Sequence, residues 1–229
     1  MSPRYLLAKA EPADSEAIAS LFAISWASPF TRLQFGNVDP PMLAAAMAPR
    51  IAQQMSKPNV QFIVARKWQT REVVAVAQWR LPLESGNTQV DETAAEQEER
   101  QRFEDETYRN SLPESSNKEL IMHFTIGLRK LREASLRGHT NYLLENIATH
   151  PEHRGQGLAS QLIEWVIPQA NHQNALVYLD TASDNTAMRL YKKLGFQEKG
   201  RNTIEDLSKY GGEGSETHVA LIRYPDHGT

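Results

Sequence analysis

The chain has 229 residues, 40% of them hydrophobic, which suits one large domain, or one domain carrying an insertion. A formal net charge of −3 provides no basic field for nucleic acid, and the absence of cysteine excludes disulfides, thiolate metal sites and a cysteine nucleophile. No stretch is apolar enough at bilayer length, and Lys9 and Glu11 cut short the first apolar run. The expectation is a cytoplasmic protein with no membrane partner, no nucleic-acid partner and no metal.

In chain order, Tyr5 to Lys9 reads as a short strand. Asp14 or Ser15 can cap a helix with Ile18, Leu21, Phe22 and Trp26 on one face, ending near Pro29. Residues 29–36 read as a loop rich in aromatics. A second helix is expected from Pro40 to Met55, with Pro49 as a point of interruption. Val60 to Trp68 and Val73 to Leu81 read as a hairpin. Residues 91–100 are acidic and helix-favouring, and read as a solvated helix face. Leu120 to Leu136 resumes an apolar helical pattern closed by Gly138.

Asn141 to Ala148 is an apolar strand. It runs into the turn His150-Pro151-Glu152-His153-Arg154-Gly155-Gln156-Gly157 and then a helix with Leu158, Leu162, Ile163, Val166 and Ile167 on its apolar face. Pro168 is expected to end or kink that helix. Leu176 to Asp180 is a further strand. Asp184 is expected to cap a short helix that Gly195 ends. Residues 196–200 extend away, 201–216 read as a loop, and Thr217 to Tyr224 as a last strand. Interleaved helices and strands place the chain in the α/β or α+β class with a mixed sheet.

The glycine turn is the stretch with chemistry in it. At a helix start, backbone N–H groups lack partners and the helix dipole adds partial positive charge, so a strand–glycine turn–helix unit can hold a phosphate. Glycine lets the backbone approach a ligand closely. The lysine and Ser/Thr of a Walker-type loop are missing. Ser160 stands where a dinucleotide fingerprint needs its third glycine.

Arg154-Gly155-Gln156-Gly157-Leu158-Ala159 fits the Arg/Gln-x-x-Gly-x-Gly/Ala signature of the GCN5-related N-acetyltransferase (GNAT) family. Asn185-Thr186-Ala187 through Tyr191 to Gly195-Phe196 resembles that family's Asn-x-x-Ala-x-x-x-Tyr-x-x-x-Gly-Phe segment, and the two lie in the family's order with one strand between. The resemblance covers about residues 141–200. It implies the GNAT fold, a mostly antiparallel mixed sheet flanked by helices. It also implies a single N-acetyltransferase domain over 1–229, in which about 86–118 is an acidic helical insertion. Acetyl-CoA is the implied cofactor. Its pyrophosphate would rest on the amides of Arg154, Gly155, Gln156, Gly157, Leu158, Ala159 and Ser160. Its pantetheine arm would pair with Ile147, Ala148 and Thr149, with Asn185 as a further contact and a backbone N–H near Ile147 facing the oxyanion.

Direct attack by an amine needs a proton acceptor, and the departing thiolate benefits from an acid. Tyr191 matches the family's tyrosine and is the expected acid; an amphipathic packing tyrosine is the plainer use of the same residue. Glu145 is the expected base, its proton affinity raised by an apolar strand. Alternation puts Glu145 and Ile147 on one face and Asn146 on the other. A water chain is the alternative to Glu145, and His123, His150 and His218 are weaker candidates. Trp26, Phe30, Phe35 and Tyr210 are the expected acceptor-pocket residues, equally able to serve as packing. The expected acceptor is a small-molecule primary amine. A protein lysine or N-terminus is the alternative acceptor, and a catalytically silent acyl-CoA-binding module the alternative of another class. A homodimer is compatible with the family.

Overall fold

The structure is a computed structural model that describes residues 4–82 and 93–226. Seven strands form one sheet: β1 (Tyr5–Lys9), β2 (Val60–Lys67), β3 (Val73–Arg80), β4 (Asn141–Thr149), β5 (Leu176–Ala182), β6 (Gln197–Ile204) and β7 (Glu216–Arg223). Their spatial order is β1-β2-β3-β4-β5-β7-β6, and every neighbouring pair is antiparallel except β4–β5. β3 reads Val-Val-Ala-Val-Ala-Gln-Trp and is buried at each of these positions, as a central strand covered on both faces must be.

The helices are α1 (Ser15–Ser25), α2 (Pro29–Phe35), α3 (Pro40–Met55), α4 (Ala94–Ser111), α5 (Lys118–Leu136), α6 (Leu158–Glu164), α7 (Ile167–His172) and α8 (Met188–Lys193). On one face of the sheet, Leu158, Leu162 and Ile163 of α6 and Tyr191 of α8 pack on Ile63, Ala77, Trp79, Tyr142, Leu144 and Val177. On the other, Ile18 and Phe22 of α1 and Ala44, Ala48 and Ile51 of α3 pack on Val64, Val76 and Ala148. Leu131 and Leu136 of α5 extend that layer over Leu143, Tyr178 and Ile222.

Four local expectations are corrected. Residues 29–35 form α2: the Ser28 Oγ accepts from the Thr31 N–H at 3.0 Å, and Pro29 occupies the first turn, where its missing N–H costs nothing. α3 runs through Pro49 without a break, because its apolar face packs against α1. Neither acidic cap forms. Asp14 instead accepts the Glu11 N–H and pairs with Arg66, while Asn185 replaces Asp184 by accepting the Ala187 N–H at 2.9 Å. Part of the expected 201–216 loop is strand, since β6 continues to Ile204 along β7, with Thr203 hydrogen-bonded to Thr217 at 3.0 Å. It is the edge strand, which explains its polar sequence.

The expected break near Pro168 is present. The chain leaves α6 after Glu164, and Pro168 sits in the first turn of α7. Residues 86–92 of the acidic stretch lie outside the described residues. The rest forms α4, which opens with a reciprocal Thr93–Glu96 capping box and buries none of its side chains. α4 is held to α5 by two Arg129–Asp105 hydrogen bonds of 2.7 Å.

Candidate active site

The site begins where the sheet divides. β4 and β5 pair only through Asn141–Leu143 and Leu176–Tyr178. Beyond that, β4 stays with β3 as far as Thr149, and β5 stays with β7 as far as Ala182. The edge of β4 from Leu144 to Thr149 therefore faces a fork with no strand in it. The cause lies in the register. Gln78 is opposite Asn146 and Trp79 is opposite Leu144, so Glu145 is an extra residue bulged out of the β3–β4 ladder. A bulge bends its strand and increases the local twist, and so turns β4 away from β5.

The bulge also corrects the expected alternation. Ile147 packs with Leu158 and Leu162, whereas Ala148 joins the α1–α3 layer. Glu145 and Asn146 do not lie on opposite faces: both reach Gln78. The Glu145 Oε2 accepts from Gln78 Nε2 at 2.8 Å, and Asn146 Nδ2 donates to Gln78 Oε1 at 2.9 Å. Gln78 is buried and its Nε2 also reaches Gln54 of α3 at 3.3 Å. The second Glu145 oxygen accepts from Arg80 at 2.5 Å. The surroundings of Glu145 are thus polar and cationic, where the strand composition indicates an apolar setting.

At the far end of β4 the chain makes a short 3₁₀ turn, Pro151–His153, and enters the glycine segment. Gly155 and Gly157 have φ of 72° and 75°, the left-handed region that glycine adopts without strain. A Cβ on Gly155 would meet nothing within 4 Å, so the backbone there borders open space. Among the described residues, no backbone N–H from Gly155 to Ser160 has a main-chain acceptor. The Gln161 N–H is the first to bond, to the Gly157 carbonyl. Leu158 is buried beneath this cradle. The Arg154 side chain is exposed, with Nε 3.4 Å from the Thr149 carbonyl. Gln156 is held by Arg4 at 3.1 Å, and the buried His153 accepts or donates a 2.9 Å bond with the Tyr5 hydroxyl. Burial, reinforced by Lys67, lowers the pKa of His153. Sequence reasoning passed over His153, which anchors the turn to β1.

Tyr191 is buried in the α6-side core and meets Phe196 edge-on, with ring centroids 6.1 Å apart. Burial pushes its pKa up to about 12, so the phenol keeps its proton at neutral pH. Asn185 is committed to the turn between β5 and α8: Nδ2 donates to Thr181 Oγ1 at 2.7 Å, while Oδ1 takes the Ala187 N–H.

Of the four aromatics expected at the acceptor pocket, Trp26 and Phe35 line one cavity, while Phe30 and Tyr210 share an apolar cluster with Leu120, Ile204 and Leu207. Trp26 stacks on Phe22 and shares a cavity of about 270 Å³ with Phe35, between α1, α2 and α3. Phe30 borders a separate cavity of about 540 Å³ with Leu33, Leu207 and Glu216. The Tyr210 hydroxyl pairs with His123 Nδ1 at 2.7 Å. His150 accepts the Glu152 N–H in its own turn at 3.3 Å. His218 lies beside the fork, edge-on to Phe124 at 4.7 Å, and burial lowers its pKa to about 4. Asp180, Arg132 and Tyr178 were also missed. A carboxylate ending the apolar run 176–180 was the visible signal for the first of them.

The sheet is forked at its centre, with an unpartnered amide cradle at the end of one prong, an arrangement able to hold a phosphate-bearing ligand. Residues 124–198 match the family model described as an acetyltransferase (GNAT) domain. Solved structures share the fold along nearly the whole chain. Agmatine N-acetyltransferase superposes with a TM-score of 0.63 at 17% identity, over 96% of this chain and all (100%) of that one. Drosophila melanogaster polyamine N-acetyltransferase gives 0.60 at 16% identity, over 96% and 99%. A Corynebacterium glutamicum histone acetyltransferase HPA2 and related acetyltransferase gives 0.58 at 21%, over 99% of each. A sequence search of curated proteins finds no match. Among the described residues, no helix is long and apolar enough to cross a membrane.

Proposed function

We propose that this protein transfers the acetyl group of acetyl-CoA to the primary amine of a small molecule. The observation that carries the reading is the fork. An unpaired β4 edge leads directly into a run of unpartnered amides, which matches a ligand with an amide-bearing arm and a diphosphate. Gly155 to Ser160 would hold the diphosphate, with Arg154 adding charge, and Ile147, Ala148 and Thr149 would offer the β4 edge to the arm. Acetyl-CoA supplies a thioester, an acyl group activated for attack by an uncharged amine.

The chain's own residues then handle charge and protons. Tyr191 holds its hydroxyl proton at neutral pH and can give it to a thiolate. Glu145 places negative charge at the fork, fixed by Gln78 and Arg80, where it attracts an ammonium. Asn185 shapes the approach from α8. Trp26 with Phe35, and Phe30 with Leu207, offer two apolar recesses for the rest of the acceptor. The chain is one domain, with α4 as an acidic insertion on its surface.

The small-amine reading is supported by the two similar structures named for agmatine and polyamine N-acetylation. Release of thiol from acetyl-CoA against a panel of small amines and lysine peptides tests it. Release with small amines is expected. Release with peptides alone would assign a protein acceptor, and acetyl-CoA binding without release for any amine would assign a silent module.

A further inference from the structure

Asp180 stands two residues beyond Tyr178, the last residue of β5 that pairs with β4. Its other neighbour is Ala220 of β7. It is therefore the first acidic residue on the free prong of β5, with its side chain only 16% exposed. Its cation is distant: the Arg132 guanidinium of α5 is 3.7 Å away. The Arg132 Nε and the hydroxyl of the fully buried Tyr178 both lack a hydrogen-bond partner among the described residues. The guanidinium lies over the Tyr178 ring, 5.8 Å from its centroid. Two buried donors without partners thus flank a carboxylate that is only loosely paired.

Buried polar atoms almost always find partners, and a polar recess with two to four such groups is where a water is held. Glu145 on β4 is an acid on the opposite prong, but both its oxygens are already engaged; Glu216 lies beyond the far end of β5, 3.4 Å from His218. We infer that Asp180 is the proton acceptor for the attacking amine, acting through a water held by the Tyr178 hydroxyl and Arg132 Nε. The inference rests on the acetyltransfer reading above.

The proton balance is simple. The ammonium gives one proton through the water to an Asp180 oxygen, and its N–H electron pair becomes the lone pair that forms the C–N bond as the C–S bond breaks. The second amine proton leaves as the amide forms, while Tyr191 protonates the thiolate and is reprotonated, so the reaction releases one proton in all. Burial raises the Asp180 pKa, Arg132 opposes the rise, and the Glu145 carboxylate adds to it. The other groups on this face are Tyr178, which stays protonated, His218, two residues along β7 from Ala220, which is neutral above about pH 4, and Glu216, 3.4 Å from His218, whose pKa burial raises. A carboxylate raised towards neutrality is better matched to an ammonium than an ordinary one.

The test is the pH dependence of kcat/KM for an amine that the wild type acetylates, together with a ¹³C NMR titration of the Asp180 carboxyl without substrates. The wild type is expected to lose activity on the acid side, with a midpoint above the ordinary carboxylate range. Asp180→Asn should remove that limb and lower kcat at least about 100-fold, while Glu145→Gln should retain the limb but move it to lower pH, because the Glu145 carboxylate adds to the raised Asp180 pKa. Tyr178→Phe preserves shape and removes an unpaired hydroxyl; it should move both the limb and the NMR midpoint to higher pH. It also decides the matter if Asp180→Asn fails to fold. A limb lost in Glu145→Gln and kept in Asp180→Asn would overturn the inference, as would an NMR midpoint unmoved by Tyr178→Phe. If no amine supports thiol release, the acetyltransfer reading fails, while the NMR midpoint still reports separately on the recess.

Discussion

Tyr191→Phe separates chemistry from structure at this site. The ring is buried against Phe196 and the α6 side of the sheet, and Phe keeps that packing. The hydroxyl has no hydrogen-bond partner among the described residues, so its removal leaves no orphaned group. The stability change should stay within about 0.5 kcal/mol. Loss of a general acid should lower kcat about 100-fold or more, equivalent to at least about 2.7 kcal/mol of barrier. The KM for acetyl-CoA should hold, because the diphosphate cradle is untouched. With a pKa of about 12, Tyr191 imposes no loss of activity on the alkaline side until well above neutral pH. Steady-state thiol release, with urea unfolding as control, is the assay. A folded variant with kcat within about threefold of wild type would refute the acid role.

Other consequences are equally checkable. Gly155→Ala should weaken coenzyme A binding about 5- to 30-fold by calorimetry, since an alanine at φ 72° costs about 1–2 kcal/mol even where the space is open. His218 has a folded pKa below its unfolded one, so its contribution to stability is complete above about pH 6.5 and is lost as pH falls towards 4. Urea titrations should show a loss of up to about 3 kcal/mol over that window, absent in His218→Phe. Asp105→Asn should speed hydrogen exchange most in the middle of α4 while leaving α5 unchanged, because α4 buries no side chain and Asp105–Arg129 ties its middle to α5, whereas Tyr108 and Arg109 hold its C-terminal end. Arg129 also lowers the Asp105 pKa, so the same loosening should appear in wild type as pH falls below the ordinary carboxylate range and through that lowered value.

The turn and the α8 segment were readable because glycine geometry and a fixed motif leave a local mark, and the hairpin because two apolar runs rich in β-branched residues flank a short polar turn. Glu145 is visible in the sequence as a carboxylate on an apolar strand, but its partners Gln78 and Arg80 are not. The bulge that turns it towards Gln78 and Arg80 is a slip between two strands far apart in sequence, and no local pattern records it. Asp180 was hidden for the same reason: the carboxylate was visible, but the division of the sheet beside it is a pairing property. α2 was misread although Ser28-Pro29 is a proper helix start, because its aromatics drew attention as a pocket. The second half of β6, residues 201–204, was read as loop because an edge strand needs no apolar face. The grouping of the aromatics is a tertiary property: Trp26 and Phe35 border one cavity, Phe30 an adjoining one, and Tyr210 packs in the same cluster as Phe30.

The central claim is that the fork and the amide cradle serve acetyl transfer to a small amine. Mass spectrometry of the products after mixing the protein with acetyl-CoA and each amine of the panel tests it most directly. N-acetylated amine in equal amount to free thiol is expected, with both suppressed in Tyr191→Phe. Thiol without acetylated amine, or acetylated amine formed equally fast by the variant, would contradict it.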